Sequence, residues 1–259
     1  MIPGQEAALP PLTRRLLGWE IIVVFAVSLG ASALFALIRL IGSLTAAKPL
    51  GKQQALLVGS LAPGRPLLDL ALQLASIAVT LAPVALVFYL MARSGEPPSA
   101  MGLDPSQPGR DAARGAVLAA VIGGAGLGLY FAALRLGFNL TVVPESLPPV
   151  WWRVPVLVLD GLQNGILEEI LVVGYLLRRL GQLGWSPARS IAVSALLRGS
   201  YHLYQGFGGF AGNAVMGVIF GLLYRRWGRV TPLIVAHSLI DVVAFTGYAA
   251  LHGRVSWLP

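Results

Sequence analysis

Residues 67–92 read LLDLALQLASIAVTLAPVALVFYLMA, and Asp69 is the one charged side chain in the run. The hydrocarbon core of a bilayer takes about 20 mostly apolar residues of helix, so this stretch is long enough to cross it. Runs of the same kind lie on either side, at roughly 17–42 and 112–136. Across the chain 56% of residues are hydrophobic and 12% charged, with a mean hydropathy of +0.75. Soluble domains do not have this composition. The fold expected is an all-α, polytopic transmembrane helix bundle with the bilayer as its solvent.

The second half is less uniform because its apolar runs carry charges and amides. A fourth span is expected over 153–178 with Asp160, Asn164, Glu168 and Glu169. A fifth covers 187–204 with Arg198 and His202, a sixth 209–227 with Asn213, and a seventh 231–251 with His237 and Asp241. The fifth opens on Ser186 as N-cap and Pro187 as first helical residue, and Gly206, Gly208 and Gly209 separate it from the sixth. The connections, such as Ser94-Gly95-Glu96-Pro97-Pro98, are short and rich in Pro and Gly. About seven spans therefore form one integral membrane domain over 1–259. Glycines 115, 123, 124, 126 and 128 read as points of close helix packing. Tyr201, Tyr204 and Trp227 read as interfacial anchors at span ends.

Arg14 and Arg15 precede an apolar run too long for a signal-peptide core, which reads as a retained first span. Most arginines, including Arg93, Arg110, Arg178, Arg179, Arg225 and Arg226, then collect on the side of the N-terminus. By the positive-inside bias that side is cytoplasmic, and the membrane expected is a bacterial plasma membrane. The net charge of +8 is spread in pairs between apolar runs, so nucleic acid is not an expected partner. The chain has no cysteine, which rules out disulfides and thiolate zinc sites.

An acidic residue at the bilayer centre costs about 2.5–3.5 kcal/mol on insertion scales and needs a partner or a wet cavity. Glu168 and Glu169 lie about 100° apart around a helix, so one can face a cavity while the other holds a neighbouring helix. His202 follows Arg198 by four residues and Asp241 follows His237 by four, so each pair is expected to stack on one helix face. A glutamate can take a proton from water, an imidazole can orient that water or stabilise an oxyanion, and an aspartate can fix the imidazole. The same carboxylate and imidazoles, Glu168, His202 and His237, could instead hold a zinc ion. Asp160, Asn164 and Asn213 read first as interhelical hydrogen-bonding groups.

The order Glu168-Glu169, His202, then His237-Ser238-Leu239-Ile240-Asp241 on successive helices resembles the CPBP family of intramembrane proteases. That family includes type II CAAX prenyl proteases and Abi-like, bacteriocin-processing proteins, and the resemblance covers roughly 150–250 as a catalytic core. It implies an endopeptidase acting on a peptide or membrane-protein substrate, with or without a metal. Glu168 would be the base, His202 its partner in holding water, and His237 and Asp241 the oxyanion-stabilising or metal-binding part, with Glu169 in support. Two positions depart from the family pattern: its Arg after the Glu pair falls on Val173, and its Phe before the first His falls on Arg198. Arg198 is therefore expected to supply from the fifth span the charge missing from the fourth. The rival readings are an inactive scaffold or immunity protein of the same fold and a proton-coupled transporter.

Overall fold

A computed structural model describes residues 13–255. The order of elements is α1 (Arg14–Ala26), α2 (Leu29–Thr45), β1 (Gln54–Val58), α3 (Pro66–Thr80), α4 (Ala82–Arg93), α5 (Pro108–Arg135), β2 (Thr141–Glu145) and α6 (Arg153–Glu168). There follow a π-helical segment (Glu169–Tyr175), α7 (Leu176–Gln182), α8 (Pro187–Ser200), α9 (Phe207–Trp227) and α10 (Thr231–Leu251). The all-α class expected from hydropathy holds.

Among the described residues four helical stretches are long and apolar enough to cross a membrane: 66–93, α5, α9 and α10. The pair α1–α2 makes a fifth if its 49° bend is counted within one span. That bend falls at Ser28, whose Oγ donates to Val24 O at 2.6 Å, a local competition with the helical ladder that bends helices. The expected count of seven is not reached by this measure, and the reason lies in the fourth and fifth spans. The fourth is a helical rod from Arg153 to Gln182, on the order of 45 Å long at 1.5 Å per residue; its acidic residues and its π-helical segment depart from a simple apolar span. In α8, 14 residues reach about 21 Å, short of the hydrocarbon thickness of about 30 Å.

Lipid-facing surface is recognisable on α5, where Val117 and Val121, one turn apart, are 64% and 63% exposed. Apolar side chains left this open on one helix face suit acyl chains. Of the glycines expected to mediate packing, Gly115 does so: a Cβ there would lie 2.6 Å from Val235 Cβ on α10. Gly124, Gly126 and Gly128 have open space beside them, so that expectation is corrected for these three. Buried apolar residues gather on both sides of the π-helical segment. One cluster joins Leu167, Leu171 and Leu176 to Val24 and Phe25 of α1 and Val87 and Met91 of α4. The other joins Val173 to Ile191, Phe220, Leu233 and Ala236.

The two ends of the bundle are closed differently. At one end β1 and β2 pair in parallel, Gln54 opposite Thr141 and Val58 opposite Glu145, a ribbon that hydropathy alone did not predict. Leu140 N donates to Gln205 O at 2.9 Å and so ties this ribbon to the turn after α8. At the other end Arg229 donates to Asp111 Oδ1 at 2.9 Å and to Asp104 Oδ2 at 2.8 Å, locking the loop before α5 to the loop before α10.

Candidate active site

The site lies where α6, the π-helical segment, α8 and α10 meet. Ser186 caps α8 as expected, its Oγ accepting from Arg189 N at 3.4 Å, with Pro187 in the first turn. The helix ends at Ser200, however, and His202 stands beyond it in a turn, at φ −98° and ψ 3°. The expected stacking of Arg198 and His202 on one helix face is thereby corrected. Gly206, at φ +108°, turns the chain into α9; its conformation is one that a Cβ would strain.

Glu168 and Glu169 face different surroundings. Glu168 Oε2 accepts a hydrogen bond from Tyr201 Oη at 2.6 Å, lies 3.6 Å from Arg198 Nη1 and 3.8 Å from His202 Nε2. Glu169 is fully buried, and its Oε1 accepts from Arg198 Nη2 at 2.7 Å and from His237 Nδ1 at 2.7 Å. A carboxylate at that distance places the proton of a neutral imidazole on Nδ1. Arg198 Nη1, 3.5 Å from the same nitrogen, is then a second donor, and its closeness is proximity rather than a hydrogen bond. His237 Nε2 lies 3.9 Å from Asp241 Oδ2, which accepts from Asn164 Nδ2 at 2.9 Å.

Arg198 is fully buried and its guanidinium sits 5.5 Å from the Phe220 ring centroid, within cation–π range. Val173, where the family pattern has its arginine, fills the apolar cluster with Ile191, Phe220 and Leu233. The positive charge thus reaches Glu169 from α8. The π-helical segment is in turn held from α8, where Ser194 Oγ donates to Val172 O at 2.8 Å.

Several assignments change. Tyr201, expected at the interface, is 5% exposed and bonded to Glu168. The signal for it was its place beside His202, three residues after Arg198. Gln205 also went unnoticed; its Nε2 lies 3.4 Å from His202 Nδ1 and donates to Tyr204 Oη at 3.0 Å. Asn164 does bond between helices, whereas Asn213 bonds within its own helix, to Gly209 O at 3.0 Å. Asp160 Oδ2 is buried with no hydrogen-bond partner among the described residues.

The proposed metal ligands do not fit a metal. Among the described residues no group of three His, Asp or Glu side chains is arranged to hold one.

Apolar helices enclosing a buried and half-buried cluster of two glutamates, two histidines, an aspartate and an arginine define an integral membrane protein with a polar site among its helices. Residues 149–243 match the family described as type II CAAX prenyl endopeptidase Rce1-like. That region contains every site residue discussed above, and its likeness to the family agrees with the resemblance carried by the motif order. No curated protein and no solved structure matches the chain.

Proposed function

We propose that the protein is an intramembrane endopeptidase in which Glu168 activates water. The observation that carries this reading is the different treatment of the adjacent glutamates. Glu169 is fixed by Arg198 and His237, while Glu168, bonded to Tyr201, keeps Oε2 3.8 Å from His202 Nε2, a nitrogen with no hydrogen-bond partner among the described residues. That separation is too long for a direct hydrogen bond and suits two groups that share one reacting water.

In the reaction Glu168 takes a proton from the water while His202 orients it, and the hydroxide adds to the peptide carbonyl carbon. His237, held by Glu169 and as an imidazolium a donor from Nε2, stabilises the developing oxyanion beside Asp241. The carboxylic acid of Glu168 then returns the proton to the amide nitrogen as the C–N bond breaks. Tyr201 and Arg198 position the two carboxylates. A peptide or membrane protein is the substrate, reached within a bilayer, and the N-terminus faces the cytoplasm. The convergence of these side chains on one cluster supports an enzyme over a transporter, which needs a relay running from face to face.

The test is turnover of a membrane-peptide library by purified protein. Glu168→Gln keeps shape and hydrogen bonding but loses basicity, so turnover should fall by about 10²–10⁴-fold while the protein still inserts and folds. A chelator should leave the wild-type rate unchanged. An inactive scaffold of the same fold would show no wild-type turnover, and a Glu168→Gln protein with full turnover would remove Glu168 from the chemistry.

A further inference from the structure

A cleft of about 310 Å³ opens at the ribbon end of the bundle, lined by Arg39 and Ser43 of α2, Gln54 and Leu56 of β1, and Tyr204. It adjoins the site through Tyr204. The rings of Tyr204 and His202 are stacked with centroids 6.4 Å apart, and Gln205 lies against both. The wall formed by α2 and β1 lies outside residues 149–243, the part of the chain that matches the protease family.

Arg39 is the only charged residue of α2. It is solvent-accessible at the cleft, and among the described residues no carboxylate pairs with it. An arginine inside an apolar helix is costly to insert, and one aimed into a cleft offers a planar pair of donors for an oxygen anion. β1 has β2 on one side only, and its residues along the cleft can accompany a peptide in extended form.

We propose that the cleft seats an extended segment of the substrate beside the scissile bond, with a carboxylate of that segment opposite Arg39. The inference rests on the reading of Glu168 as the base, since it takes the occupant to be the substrate. Two carboxylates have the required chemistry, an acidic side chain and the substrate's own C-terminus. Substrate selection then resides in α2, and catalysis in α6, the turn after α8, and α10.

The test is binding to full-length Glu168→Gln protein in lipid nanodiscs, which separates recognition from turnover. Three probes are short valine- and alanine-rich fluorescent peptides: one with a free C-terminus, one amidated, and one amidated with an internal aspartate. Arg39→Gln should weaken a carboxylate-bearing peptide by about tenfold or more, the loss expected of one charge-assisted hydrogen bond, and leave the amidated neutral peptide unchanged. Loss confined to the free-acid peptide assigns the C-terminus, and loss confined to the aspartate peptide assigns a side chain. Arg39→Lys should restore part of the binding. In the wild-type background Arg39→Gln should raise KM with little change in kcat. Equal effects on all three peptides would make Arg39 a lipid or packing contact and overturn the proposal, as would failure of all three to bind. Loss of the Glu168 role would appear separately, as turnover by Glu168→Gln.

Discussion

Arg198 shows how one side chain can be indispensable without being a net source of stability. It is fully buried beside a fully buried Glu169, and both ions have left water for that contact. Removing one partner of such a pair strands the other, at a cost of about 3–5 kcal/mol. Arg198→Leu is therefore expected to lower the unfolding midpoint sharply. Arg198→Leu combined with Glu169→Gln should be less damaging than the single change, because the stranded carboxylate is gone. Thermal unfolding of the wild type, Arg198→Leu, Glu169→Gln and the double variant in one detergent measures this, and strictly additive shifts would show the two side chains to be uncoupled. The Glu169 contact also holds the His237 ring, so both variants should lose activity even where stability recovers. The sequence carried much of this through the departures at Val173 and Arg198. It did not reveal Tyr201, because a tyrosine near a span end reads as an interfacial anchor unless its neighbours in space are known.

At the scale of elements, the contact between α6 and α10 fixes the distance between the two halves of the site. Gly165 makes that contact possible: a Cβ there would lie 2.8 Å from the backbone nitrogen of Ser238, and backbone cannot step aside as a flexible side chain can. Gly165→Ala is expected to separate the helices slightly, at about 1–3 kcal/mol in stability. Activity should fall further than this cost suggests, since Glu168 and His237 sit on opposite sides of the contact. A variant with wild-type stability and turnover would show that the helices adjust freely.

The loop before α5 gives an element-scale effect of acid. Hydrogen bonds from the Ser106 side chain and backbone, aided by Arg229, hold Asp104 down to about 2 from an ordinary 3.8. Because the folded value is the lower one, the contribution of Asp104 is complete above the unfolded value and is lost as pH falls through the folded value. Protection against hydrogen exchange over the Asp104 loop, taken relative to the intrinsic rate at each pH, should therefore fall between about pH 4 and 2, and Asp104→Asn should flatten that dependence. An unchanged profile in the variant would assign the acid response to other groups.

For the whole molecule, hydropathy and charge bias define which loops share a side, and the two ends of the bundle agree with them. The ribbon joins the loops after α2 and after α5, while Arg229 joins the loops before α5 and before α10. The natural absence of cysteine makes this directly testable with single introduced thiols. Ser99→Cys and Ser186→Cys are expected to react with an impermeant reagent from one side of sealed vesicles, and Ala47→Cys and Leu61→Cys from the other. Labelling of Ser99→Cys and Ala47→Cys from the same side would show that the helices between them do not cross.

By itself the sequence determined the solvent, the helical class and the ionisable residues. An apolar run long enough for a bilayer can satisfy its backbone there only as a helix within such a bundle, and charges within those runs are too costly to be incidental. The span count was not legible, because a bend at Ser28, a π-helical segment and a helix as short as α8 depend on packing that hydropathy does not report. The same holds for the break after Ser200, which moved His202 off the face it was expected to share with Arg198. Only the tertiary structure decided which partners each glutamate takes, Arg198 and His237 at Glu169, Tyr201 and His202 at Glu168. That division depends on where Arg198, Tyr201 and His237 arrive from other helices, and sequence spacing along one helix cannot encode a distance between two.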